Sequence, residues 1–261
     1  MVTTLTRSLS PILRFIGYIG QLSILFWQTL CWTFIPPFKK DRFLFQAQRV
    51  GWGSFFISSL VAFFVGVIIT LQMAYQMVKM SAEGYIPHVI AVSLTRELAP
   101  VLTALVVAGR IGSGITAEIG SMAVTEQIDA LRVFAVNPIK FLVVPRFLAL
   151  VLMLPILTIF ADWIGILGGF VICVYKLGFH SSLYWTSVFE ALVMKDMVTG
   201  LIKSIFFGMI IALVGCQEGL NVKGGAEGVG RATTVSVVIS FIMIIITDCV
   251  FTAMFYFIFH T

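Results

Sequence analysis

Charge is scarce in this sequence. Asp, Glu, Lys and Arg make up 11% of its 261 residues, while 59% are hydrophobic; soluble domains carry roughly 25% charged and about 45 to 50% apolar residues. So few charges cannot cover a water-facing surface, which excludes an ordinary soluble domain. Cysteines are few as well. Cys31, Cys173, Cys216 and Cys249 lie in apolar stretches with no CxxC pair, so neither a metal site nor a disulfide framework is expected, and they read as small hydrophobes. No HExxH occurs, and Ile111 stands before Gly112, Ser113 and Gly114 where a rhomboid-type serine motif requires glycine; nothing supports an intramembrane peptidase. Gly225 and Gly230 have Walker A spacing, but Arg231 and Ala232 occupy the Lys and Ser/Thr positions and no strand precedes them, so this chain is not expected to bind ATP itself. The net charge of +5 comes from basic residues that flank apolar runs instead of forming a stripe, which argues against nucleic acid as a partner.

What is abundant is long sequence with little or no charge. Runs lie between Arg49 and Lys79, Arg146 and Lys176, Lys203 and Glu218, and from Arg231 to the C-terminus; a fifth, from Pro87 to Gly112, is interrupted only by Arg96, Glu97 and Arg110. Crossing a hydrocarbon core takes about 20 residues. The expectation is an all-α integral membrane protein of one domain, 1–261, with five transmembrane helices near 50–78, 87–112, 145–175, 198–217 and 233–259.

The run Phe15 to Ile35 is also long enough to cross, but it is basic on both flanks, with Arg7 and Arg14 before it and Lys39, Lys40 and Arg42 after it. Arg7, Arg14, Gln21 and Gln28 recur every seven residues and form a narrow polar stripe. Residues 1–38 therefore read as an interfacial helix ended by Pro36 and Pro37; a sixth span is the alternative. The first 40 residues contain no acid, but no cleavage signal follows and the chain is read as mature. With the N-terminus cytoplasmic, the segments before Gly51, from Arg110 to Arg146 and from Gln217 to Arg231 hold 12 of the 17 Lys and Arg. That bias places the C-terminus outside.

The most informative stretch is SLTRELAP, Ser93 to Pro100. Arg and Glu are costly at membrane depth and usually face a cavity or bundle interior. Pro100 cannot bond the carbonyl of Arg96, so a kink is expected at the charged pair. Neighbours on a helix point about 100° apart; Arg96 and Glu97 should each have another partner, and the forked donors of Arg96 suit a phosphate. The competing reading is that both snorkel to the interface. Ala104, Ala108, Gly112 and Thr116 form a small-residue stripe, as do Gly165 and Gly169, open to packing within the chain or between copies. Asp162 and Asp248 read as lone buried acids and receive no role. From Ala117 to Pro138, the acids Glu118, Glu126 and Asp129 alternate with Ile119, Met122, Ile128, Leu131 and Phe134. This reads as a short amphipathic cytoplasmic helix, whose acids suit a protein partner better than an anionic leaflet.

The segment SLTRELAPVLTALVVAGRIGSGITAEIGSMAVTEQIDAL, followed by NP, PRF and GRATT, closely resembles the MlaE family of ABC-transporter permeases. The resemblance covers nearly the whole chain. It implies a homodimer, each copy bound to a cytoplasmic ABC ATPase beneath MCE-domain proteins on the outer side, moving phospholipids between membranes and needing no cofactor. It further implies that Arg96 and Glu97 lie at a lipid pocket near the dimer axis, and by position that Leu71, Tyr75 and Val78 line it. The helix Ala117 to Arg132 would couple to the ATPase through Glu118, Glu126, Asp129 and Arg132. Ala99 replaces a Gly common before the Pro, and Val235 follows GRATT where a basic residue often stands; these departures leave the lipid open. The family implies a bacterial inner membrane or a plastid envelope. The alternative, an ion-coupled secondary transporter of an amphipathic or anionic substrate, should show inverted repeats and paired broken helices, and the sequence has neither.

Overall fold

A chain in lipid must satisfy its backbone internally, and the described residues are helical nearly throughout, with no strand among them. The computed structural model describes the backbone of residues 2–36 and 40–259 and the side chains of residues 17–36 and 40–257. The helices are α1 (Val2–Thr33), α2 (Lys40–Lys79), α3 (Glu83–Val124), α4 (Gln127–Val133), α5 (Ile139–Tyr175), α6 (Ser181–Ala191), α7 (Met194–Leu220) and α8 (Gly225–Phe259). Among the described residues, α2, α3, α5, α7 and α8 are long and apolar enough to cross a membrane. The expected all-α membrane fold with five spans and an N-terminal helix is what is found.

The helices outrun the expected spans. α2 starts at Lys40 instead of near residue 50, α3 continues to Val124, α5 begins at Ile139 and α8 at Gly225. Hydropathy marks where lipid ends, but the backbone ladder continues past that level wherever nothing breaks it. All these extensions lie at one end of the bundle, the loop end, formed by residues 125–138 and 221–224. The opposite end carries residues 80–85 and α6 and is the cap end.

Glycines set the spacing of the spans. A Cβ on Gly66 would overlap the carbonyl oxygen of Gly165, and one on Gly168 would overlap that of Phe63, so α2 and α5 touch backbone to backbone. Both small-residue stripes serve packing within the chain. Ala104, Ala108 and Thr116 are fully buried; a Cβ on Gly215 would lie 3.1 Å from the Gly112 carbonyl oxygen, and Thr116 Oγ1 is 3.0 Å from Gly215 O and 2.9 Å from Ser236 Oγ. Val107, Phe147, Leu150, Leu154, Phe207 and Ile211 fill the centre of the bundle.

α1 packs against α5 and α7 at the loop end. Leu22, Leu25 and Thr29 are buried there, the rings of Phe26 and Phe147 stand 6.2 Å apart, and Gln217 Nε2 donates to Gln21 Oε1 at 2.9 Å. One member of the expected polar stripe thus contacts protein. The side chains of Arg7 and Arg14, and Pro37 with its neighbours Phe38 and Lys39, lie outside the described residues. α6, over residues outside every expected span, packs on α3 and α5, and its buried Tyr184 donates from Oη to Ile166 O at 2.8 Å.

Candidate functional site: a charge network at membrane depth

Between Ser93 and Ala99 the helix α3 widens into one π turn, Leu94–Leu98, where the Ala99 N–H bonds the Leu94 carbonyl five residues back. Pro100 follows at once and contributes no donor. The expected kink therefore takes the form of a π turn, an insertion that often marks functional sites. It carries Arg96 and Glu97, both partly exposed.

Each of the two has a partner on another helix, as their divergent directions require. Glu97 accepts from Lys203 Nζ of α7 through Oε2. Lys203 has no exposed surface, and it also donates to Thr252 Oγ1 of α8 at 2.7 Å, while that hydroxyl lies 3.1 Å from Glu97 Oε2. Asp248 Oδ1 sits 2.8 Å from the same ammonium, an ion-pair distance without hydrogen-bond directionality. Arg96 reaches Asp196 Oδ1 from one side and Glu97 Oε1 from the other, each at 3.9 Å. The reading of Asp248 as a lone acid is thereby corrected: it pairs with a lysine that hydropathy had treated only as the edge of a span.

Counted from the cap-end termini of their helices, Arg96, Glu97, Asp248 and Lys203 lie about 9 to 14 residues in, roughly 13 to 21 Å along the helix axis at ~1.5 Å per residue, whereas Asp196 stands in the first turn of α7. At that depth isolated charges are unfavourable, and pairing between helices is the usual resolution. Three acids face two bases here, and the guanidinium of Arg96 is held only by long contacts. It is the group most available to an incoming anion.

Leu71, Tyr75 and Val78 occupy the exposed face of α2 near the cap end. The ammonium of Lys79 donates to Tyr75 Oη at 2.8 Å and lies 4.0 Å from its ring centre. Ala74, on the other side of the helix, packs with Ile86 and Ile90. Within one chain these three side chains point outward and are not part of the network.

At the loop end, the expected amphipathic helix over 117–138 is in two pieces. Residues up to Val124 continue α3, Glu126 turns the chain with φ 58°, and α4 follows before Ala135 turns it again at φ 57°. Asn137 Oδ1 then accepts from the N–H of Ile139 at 2.9 Å and opens α5. Glu118 consequently belongs to a spanning helix. It bridges Arg49 at 2.6 Å and Arg146 at 2.8 Å, tying α3 to α2 and α5. Glu126, Asp129 and Arg132 are exposed, the last two paired at 2.8 Å, and Val133 and Phe134 are exposed beside them.

Comparison with known proteins accords with this architecture. Residues 43–254 match the family model described as Permease MlaE. The chain is 40% identical over 244 residues to a probable ABC transporter permease protein of Rickettsia prowazekii, covering 94% of each. It is 46% identical over 210 residues to one of Synechocystis, covering 80% of each, and 43% identical over 216 residues to one of Pyropia yezoensis, covering 83% of this chain and 81% of the other. The chain belongs to the MlaE permease family and is a permease component of an ABC transporter.

Proposed function

We propose that this chain is the membrane subunit of an ATP-driven phospholipid transporter of a bacterial inner membrane, working as a homodimer with its N-terminus cytoplasmic and its C-terminus periplasmic. A cytoplasmic ABC ATPase supplies the energy, and an MCE-domain protein on the outer side receives or delivers lipid. The observation that carries this reading is the network of Arg96, Glu97, Asp196, Lys203 and Asp248. A paired set of charges, accessible at one loosely held guanidinium, suits a phosphodiester whose acyl chains remain in an apolar surround. Leu71, Tyr75 and Val78, exposed on α2, would contribute apolar wall once two copies meet. The loop-end patch of Glu126, Asp129, Arg132, Val133 and Phe134 suits docking on the ATPase, with Glu118 bracing its base through Arg49 and Arg146. Nucleotide binding that closes the ATPases would push this patch, and α3 would transmit the movement along its length to the π turn.

The test is reconstitution with the partner ATPase in vesicles containing a labelled phospholipid. Arg96→Ala with Glu97→Ala is expected to lower ATP-dependent lipid movement at least tenfold while nucleotide binding by the partner persists. Movement at the unaltered rate would remove the network from the lipid pathway.

A further inference from the structure

A second polar group lies at membrane depth, and the network does not use it. Asp162 of α5 has its Oδ1 buried with no hydrogen-bond partner. It lies one turn before Gly165, whose Cα position is packed against the Leu94 side chain at the start of the π turn, so it stands at about the depth of Arg96. A cavity of about 180 Å³ opens beside it, lined by Thr95, Asp162, Trp163, Trp185, Phe189 and Met197 among others. The indoles of Trp163 and Trp185 are 6.4 Å apart, and Phe189 continues the aromatic wall 6.0 Å from Trp185. Trp163 and Phe189 are also open to the surroundings, at 48% and 60% exposure. Leu201 of α7 closes another side; it points about 200° away from Lys203 on the same helix. The cavity and the network therefore lie on opposite sides of α7.

We infer that this cavity is a binding site for an uncharged lipid-phase amphiphile that bears a hydroxyl group on an apolar body, with Asp162 as its hydrogen-bonding anchor. A single carboxyl without a cationic partner at this depth is far better accommodated in its neutral form. A neutral carboxyl offers one donor and one acceptor, which a hydroxyl can match in a reciprocal pair. The cavity lining offers an anionic head no cation of the kind Arg96 supplies in the network, whereas an alcohol can bring its polar atom to this depth uncharged. The volume is below the ~300 Å³ of a typical small-molecule pocket. The site thus grips the hydroxyl-bearing end between flat aromatic faces and leaves the remaining body in lipid through the opening at Trp163 and Phe189. Thr95 lies in the wall and precedes Arg96, so an occupant touches the π turn from behind and is placed to influence the network without entering it.

The experiment uses the full-length protein in nanodiscs, with Trp27, Trp32 and Trp52 replaced by Phe so that fluorescence reports Trp163 and Trp185. A dibrominated long-chain alcohol, its methyl ether and the corresponding primary amine serve as quenching probes. The alcohol is expected to quench at about tenfold lower mole fraction than the ether, the difference one buried hydrogen-bonded pair can supply. Asp162→Asn should keep that preference and Asp162→Val should abolish it. Equal quenching by alcohol and ether in the protein with Asp162 intact would overturn the proposal, whatever the variants do. Preference for the amine that disappears in Asp162→Asn would overturn it in favour of an ion-pairing site.

Discussion

A lysine ammonium with no exposed surface persists at membrane depth only where its charge is shared, and Lys203 donates to Glu97 and Thr252 and faces Asp248 at ion-pair distance. Removing it leaves Glu97 and Asp248 without the ammonium between them, and Asp248 with no cation in reach among the described residues; breaking a buried pair in this way costs about 3 to 5 kcal/mol. Lys203→Met is therefore expected to lower the thermal unfolding midpoint of the purified protein markedly, followed by fluorescence-detected size exclusion in detergent. Adding Glu97→Gln and Asp248→Asn neutralises what the lysine had compensated, and the triple variant should recover most of the midpoint while remaining unable to move lipid. A single variant as stable as the unaltered protein would mean that the acids find other partners. At this scale the sequence was half legible. Arg96 and Glu97 stand out because charges in an apolar run are conspicuous, and their divergent directions correctly require separate partners. The partners themselves do not stand out: Lys203 lies 106 residues from Glu97 and near enough to its helix start to pass for a span edge. Asp248, alone in its run, has nothing local to suggest a base.

Whether the network forms depends on how closely two helices approach. Gly200 lies one turn before Lys203, and a Cβ there would overlap the carbonyl oxygen of Thr95 inside the π turn and come within 3.2 Å of Pro100 Cγ. α7 can lie against the widened turn only because this position has no side chain, and that contact brings Lys203 within reach of Glu97. Gly200→Ala should separate α7 from α3 locally and reduce ATP-dependent lipid transport by an order of magnitude. Gly230→Ala, at a position with nothing within 4 Å of its Cβ, should leave transport unchanged. Equal transport by both variants would show that the approach is not required. Element existence was readable because long apolar runs admit few structures in lipid. Element ends were not, since α2, α3, α5 and α8 continue as helix past the apolar edge. α6 escaped because an eleven-residue helix rich in Ser, Tyr and Trp has neither the length nor the uniform hydropathy of a span. The break at Glu126 escaped because a left-handed residue that is not glycine carries no distinct sequence mark.

For the molecule as a whole, the odd number of spans determines where its ends lie. If α1 does not cross, five crossings put the two termini on opposite sides of the membrane. Arg96 and Lys203, counted by sequence with the outer positive charges, are committed to the buried network. That leaves Lys79, Lys176 and Lys195 at the cap end against Lys40, Arg42, Arg49, Arg110, Arg132, Lys140, Arg146, Lys223 and Arg231 among the described residues at the loop end. The excess lies at the loop end, and positive charge is retained on the cytoplasmic side. In a background without the exposed Cys31 and Cys249, a membrane-impermeant thiol reagent applied to sealed inverted vesicles should label Phe134→Cys and not Ser81→Cys or Tyr175→Cys. Right-side-out vesicles should give the reverse, and a tag before Met1 should be digested by added protease only in the inverted set. A tag protected on the side of Phe134 and digested on the other would make α1 a sixth crossing, and the packing of Leu22, Leu25 and Gln21 on α5 and α7 would then have to form inside the bilayer. Gln21 and Gln217 pair with each other at 2.9 Å beside an open cavity that Gln28 also lines; amide groups so placed fit the headgroup layer and argue for a helix lying along it.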